Sequence, residues 1–285
     1  MLSKSKWARD HQLWVEAFAL INFFALTADI YLAHSTNNFR QPAEYVPLYF
    51  SLAAPVLLFI GLLAREHWNY QPIWRDVGYL VGWAAVAVGL VGLVLHLDSA
   101  FFYQRTIKSL TYAAPFAAPL AYTGLGLVLI MNRMVDPESV DWAQWLLLLS
   151  LGGFAGNLLF SLTDHASNGF FRSIEWLPVV SSSFAVSFLI TPFFVSVGRK
   201  FLKLCGIVLG GQALVGVLGF FLHGLADLRG HGPSLFANIV NGAPLLAPML
   251  FPNLVILTLI ALWRLDRHLA QHSAEQVAQP EPENA

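Results

Sequence analysis

The chain has 285 residues, of which 56% are hydrophobic and 12% charged, and its formal net charge is −1. A soluble globular chain carries about 25% charged residues, so this composition excludes a water-exposed enzyme domain, and its apolar content excludes a disordered chain. So small a charge offers no basic field for nucleic acid, and the single cysteine, Cys205, lies in an apolar run, which excludes a disulfide framework and a thiolate zinc site.

Apolar stretches of helical length fall near 13–33, 46–64, 78–97, 113–131, 143–163, 177–197, 203–223 and 243–263. A spanning helix needs about 20 mostly apolar residues, and continuous runs of this kind are not the alternating segments of a membrane barrel. The expectation is an all-α membrane protein of eight transmembrane helices. The first run follows Lys4, Lys6 and Arg9 but is longer than a signal h-region and has no A-x-A step after it, so it reads as a span and not as a cleavable signal. The last residues, 269–285, are polar and read as a disordered tail.

Lys and Arg distribute unequally over the links. Lys4, Lys6, Arg9, Arg65, Arg75, Arg133, Arg199, Lys200, Lys203, Arg264 and Arg267 fall on one side, against Arg40, Arg105, Lys108, Arg172 and Arg229 on the other. Positive residues concentrate in the cytoplasm, so both termini are expected inside a cell inner membrane, with the links after spans 1, 3, 5 and 7 outside. Trp14, Trp68, Trp74, Trp142, Trp145, Trp176 and Trp263 lie near the expected helix ends, where an amphipathic ring prefers the interface. His11, His67, His268 and His272 on the positive side read as solvated.

The chain resembles itself. His34, Asn37, Phe39, Glu44 and Pro47 align without gaps to His165, Asn168, Phe170, Glu175 and Pro178 at an offset of 131. Gly92 and His96 align to Gly219 and His223, and Ala114-Pro115 and Ala118-Pro119 to Ala243-Pro244 and Ala247-Pro248. Chance similarity between apolar segments is the alternative, but these matches include polar residues and prolines. The expectation is two tandem four-helix repeats, 1–135 and 136–268. An even number of spans gives both the same orientation, with a pseudo-two-fold axis along the membrane normal.

Each odd-numbered span ends outward in an Asp/His pair: Asp29 and His34, His96 and Asp98, Asp164 and His165, His223 and Asp227. Each following link carries an arginine, Arg40, Arg105, Arg172 or Arg229, and Glu44 and Glu175 begin return helices. Ionisable groups at membrane depth are costly and tend to face the bundle or a wet cavity. His34, His96, His165 and His223, with Asp98, Asp164 and Asp227, form a candidate ligand set for a transition metal (Fe, Cu, Zn or Mn). The same histidines are candidate axial ligands of a haem, with the four arginines balancing its propionates. At least three of the four histidines are expected to meet in one outward cavity.

A redox or metalloenzyme role ranks first on this reading. A secondary transporter of a small solute or ion, using the same His and Asp groups, is the alternative. A third reading is a structural subunit that packs its aromatic surface on other membrane proteins or on a second copy, and ordinary boundary polarity is the bland one. His231, in the Gly230-His231-Gly232-Pro233 link, reads as an exposed loop residue. No phosphate-binding glycine loop is present, so ATP is not expected as a partner, and neither H-E-x-x-H nor G-x-S-x-G occurs.

The charge asymmetry predicts that cysteines placed at Asn38 or Ser99 react with an impermeant thiol reagent on intact cells. Labelling that required permeabilisation would reverse the orientation.

Overall fold

The computed structural model describes residues 10–67, 70–112 and 114–278. Lys4, Lys6, Arg9, Trp68 and residues 279–285 lie outside that range. All regular structure among the described residues is helical. The long helices are α1 (His11–Ser35), α2 (Tyr45–Glu66), α3 (Gln71–Asp98) and α6 (Leu120–Met134), then α7 (Val140–Ser167), α8 (Trp176–Ile190), α9 (Arg199–Leu228) and α11 (Leu250–Ala278). Three short helices interrupt the links: α4 (Phe101–Gln104), α5 (Ile107–Tyr112) and α10 (Leu235–Asn241).

Among the described residues, seven helical segments are long and apolar enough to cross a membrane, and α6, with 15 residues, is a shorter apolar helix. The outer surface agrees with a lipid environment. Phe24, Leu80, Ile207 and Leu214 are among many large apolar side chains left exposed, at 64–72%, which water would penalise as an aggregation surface. The fold is that of an α-helical membrane protein.

Local chemistry sets the helix ends. Asp10 and Ser139 accept the Leu13 and Trp142 N–H groups and cap α1 and α7. The runs expected at 113–131 and 243–263 begin their long helices later, at Leu120 and Leu250. Pro115, Pro119, Pro244 and Pro248 explain the delay, because proline removes a backbone donor and blocks the preceding turn. At the other extreme, α11 continues to Ala278, into the segment expected as a disordered tail.

In the first half α2 packs on α1 and α3, and α3 lies along α6; in the second, α8 packs on α7 and α9, and α9 and α7 lie along α11. Helix α6 meets α7, and α1 meets α11, across the middle of the chain. The link helices cross over as well, α5 packing on α7 and α10 on α1. Small residues permit the closest approaches. A Cβ at Gly82 would run into Ile130 and the Gly126 carbonyl, and one at Gly216 into Pro252 and the Pro248 carbonyl.

The antiparallel helices place the start of α1 and the end of α11 at one end of the bundle, the terminal end, and the four paired histidines at the other, the histidine end. The terminal end is closed by ion pairs. Arg133 donates to both Glu16 oxygens at 2.5 and 2.8 Å, both side chains are fully buried, and the guanidinium lies 4.0 Å over the Trp74 ring. Gln12 and Asn132 exchange side-chain and backbone hydrogen bonds beside them, and Asn132 also accepts from Trp142 Nε1. Arg264 donates to Glu138 at 2.6 Å, and Arg65 to Asp10 at 2.6 Å.

Two sequence expectations change here. His11 is not solvated: it is 4% exposed, with its ring 4.6 Å from Trp263 and edge-on to Trp142. Trp142, completely buried, and Trp74, 6% exposed beneath the Arg133 guanidinium, belong to the interior and not to an interfacial belt, whereas Trp14, Trp145, Trp176 and Trp263 are exposed. The α1–α7–α11 contact covers His11 and Trp142, which a one-dimensional boundary leaves at the surface.

Removing one member of a buried ion pair leaves an uncompensated charge and costs about 3–5 kcal/mol, whereas replacing both by apolar residues can be neutral. Arg133→Met should therefore lower the unfolding midpoint of the purified protein strongly. Glu16→Leu added to it should restore most of the loss.

Candidate functional site at the histidine end

The link after α1 and the link after α7 fold alike. Phe39 and Phe170 both hold φ at 50°, in the left-handed region, and both donate N–H to the preceding histidine carbonyl, His34 or His165, at 3.1 Å. That conformation costs a non-glycine residue about 1–2 kcal/mol, and ring packing offsets it. Phe39 lies 4.9 Å from Tyr45, and Phe170 stacks on Trp176 at 3.9 Å. A 3-10 turn follows each, Pro42–Glu44 and Ser173–Glu175, and delivers a glutamate beside the histidine.

The two histidines from α1 and α7 thus each face a carboxylate. His34 Nδ1 is 3.8 Å from Glu44 Oε2, and His165 Nδ1 is 4.0 Å from Glu175 Oε2. Asn37 donates to the other Glu44 oxygen at 2.7 Å. Glu44 Oε2 and Glu175 Oε2 are both buried and have no hydrogen-bond partner among the described residues.

The histidines from α3 and α9 make a different bond, again twice. His96 Nδ1 donates to the Pro115 carbonyl and His223 Nδ1 to the Pro244 carbonyl, each at 2.9 Å. A carbonyl only accepts, so the proton sits on Nδ1, and in the neutral ring Nε2 carries the lone pair. The prolines that delay α6 and α11 leave these carbonyls outside any helix, where an imidazole can reach them.

The rings meet in pairs. His34 and His96 are 6.2 Å apart at 78°, and His165 and His223 are 6.4 Å apart at 83°. No ring contact joins one pair to the other among the described residues, so the arrangement is two separate pairs and not the single cavity expected from sequence. The carboxylate beside each pair is Glu44 or Glu175, residues noted only as helix starts. Their identity in the aligned stretches was the available signal.

The aspartates divide. Asp164 lies within electrostatic range of both His165 and His223, and Asp227 within range of His223. Asp29 is half-buried, within range of Tyr122, whose hydroxyl pairs with Ser51 at 2.5 Å and donates to the Pro47 carbonyl. Asp98 is exposed and engages no side chain among the described residues. Arg40, Arg105 and Arg229 are exposed on their links, Arg172 lies 5.4 Å over Phe171, and none of the four pairs with a carboxylate among the described residues.

Two imidazoles and one carboxylate are a donor set for a transition metal, and an imidazole held by a carbonyl or carboxylate is the usual oriented ligand. Among the described residues, no group of three or more His, Cys, Asp or Glu side chains is placed so that it could hold a metal ion. No family model, curated protein or solved structure matches the chain.

The Nδ1 bonds predict that 15N spectra of histidine-labelled protein above neutral pH show His96 and His223 as the Nδ1–H tautomer. An Nε2–H tautomer at either would contradict the carbonyl bond.

Proposed function

We propose that the protein binds one transition-metal ion in each half, through His34, His96 and Glu44 in the first and His165, His223 and Glu175 in the second, and serves redox or metalloenzyme chemistry at the outer face of a cell inner membrane. The observation that carries this reading is the recurrence of one donor arrangement at aligned positions: a carbonyl-held imidazole, a carboxylate-facing imidazole and a buried carboxylate oxygen without a partner. A buried carboxylate oxygen without a donor is expensive, and a bound cation would satisfy both copies.

The ring spacing supports the reading. A metal about 2.0–2.1 Å from an imidazole nitrogen lies roughly 3.2 Å from the ring centre, so two rings can share one ion up to roughly 6.4 Å apart. At tetrahedral angles the ring centres would stand about 5.2 Å apart, so the pairs at 6.2 and 6.4 Å would close by about 1 Å on taking up an ion. Fe, Cu, Zn and Mn all accept such donors.

The same proposal takes α6 as the eighth span. Its 15 helical residues extend about 22 Å at 1.5 Å per residue, and the irregular 114–119 segment completes the crossing with its buried end, Pro119, packed against Gly89 and Gly92 of α3. Two tandem halves, 1–135 and 136–268, then share one orientation about an axis along the membrane normal, with the histidine end outside and both termini cytoplasmic.

Elemental analysis of detergent-purified protein loaded with each of the four metals should give two ions per chain for at least one of them. His96→Ala and His223→Ala should each remove one ion, and the double variant both. A Soret band in the wild-type protein would replace the ion by a haem, and absence of metal and of that band would reject the site.

A further inference from the structure

The link between α9 and α11 carries a feature absent from its counterpart between α3 and α6. In the first half the Ser99 hydroxyl accepts the N–H of Ala114 at 3.0 Å. In the second, the aligned Ala243 N–H is accepted by Asp227 Oδ1 at 3.1 Å. A hydroxyl therefore suffices for this cap, and the carboxylate brings a second oxygen that the cap does not use. Asp227 is 3% exposed, and its Oδ2 is buried without a hydrogen-bond partner among the described residues. Arg229, two residues on, is exposed and pairs with no carboxylate among the described residues.

Asp227 lines a cleft of about 360 Å³ whose other walls come from the same link, His231 and Asn241 among them. Its shape is set by the protein itself. Asn238 donates to the Gly230 carbonyl and accepts the Gly232 N–H, and a Cβ at either glycine would strike the Asn238 side chain. A loop fixed in advance loses little entropy on binding. The volume lies in the range of organic-ligand sites, about 300–1,000 Å³, and is far larger than a bare ion needs.

We infer that this cleft binds a primary ammonium group, carried by a small free amine or by the headgroup of an aminophospholipid. One formal negative charge with a spare oxygen matches a single ammonium. Leu235 and Phe236, exposed on α10 beside the cleft, place it next to the apolar surface from which a headgroup can enter. The inference uses none of the proposed metal donors, although His223 lies within electrostatic range of Asp227.

Saturation-transfer NMR with ethanolammonium as the probe, on protein in a neutral detergent, tests it. The wild-type protein should show transfer, and tetramethylammonium, which has no N–H, should not. Asp227→Ser, which recreates the cap of the first half, should weaken ethanolammonium binding about tenfold or more, and Asp227→Asn, which keeps the side-chain volume, should do the same. Competition by added phosphatidylethanolamine but not phosphatidylcholine assigns the headgroup, and lack of competition by either assigns a free amine. His34→Ala/His96→Ala, which removes the first-half metal donors and leaves His223 beside Asp227 in place, should retain the transfer, so loss of a metal site and loss of this site are separable. No transfer to wild type, transfer undiminished in both Asp227 variants, or binding of Zn2+ that depends on Asp227 in place of ethanolammonium would each overturn the proposal.

Discussion

A bilayer interior offers no water to a polar group, so each one placed in the bundle must find its partner inside the protein. The Glu16–Arg133 pair is the strictest case, because both side chains are fully buried and both carboxylate oxygens are used. It joins α1 to α6 and, through the Trp74 face, to α3. These three helices carry His34, His96 and, just before α6, the Pro115 carbonyl. The helices that position the first histidine pair are thus joined by an ionic clamp at their opposite end.

The two ends meet the constraint in different ways. At the terminal end arginines meet carboxylates directly, in Arg65–Asp10, Arg199–Asp266 and Arg264–Glu138 as well as Arg133–Glu16. At the histidine end the arginines stay on the surface, while imidazoles meet carbonyls and stand near 4 Å from carboxylates. The first arrangement spends its carboxylates on closure, while both His11 ring nitrogens and Arg133 Nε stay buried without a hydrogen-bond partner among the described residues. The second leaves lone pairs and carboxylate oxygens unspent in pairs, which is the condition a ligand site requires.

Proline and glycine carry much of the difference. Prolines ahead of α6 and α11 free the carbonyls that orient His96 and His223, and glycines at 82, 89 and 216 let α3 and α9 lie close enough to receive them. The halves are not copies in every respect. Asn22 and Asn253 exchange amide hydrogen bonds between α1 and α11, and the aligned positions are Gly153 and Gly124. The Ser99 and Asp227 caps differ likewise, so one link is chemically equipped where the other is only closed.

Composition and run length by themselves determined that the chain is helical and suited to a membrane, because lipid exposure demands unbroken apolar stretches long enough to cross. The aligned His, Phe, Glu and Pro residues also marked the links where the paired histidines stand, since polar identity inside apolar sequence is visible without coordinates. Sequence did not reveal which histidines meet, that Glu44 and Glu175 are the adjoining acids, or that Arg40, Arg105, Arg172 and Arg229 stay apart from them. It also left His11 and Trp142 at a surface that the α1–α7–α11 contact buries. Those outcomes depend on helix rotation and on where a proline-delayed helix begins. A shift of one residue turns a side chain by about 100° around a 3.6-residue helix, and only packing between helices fixes that angle.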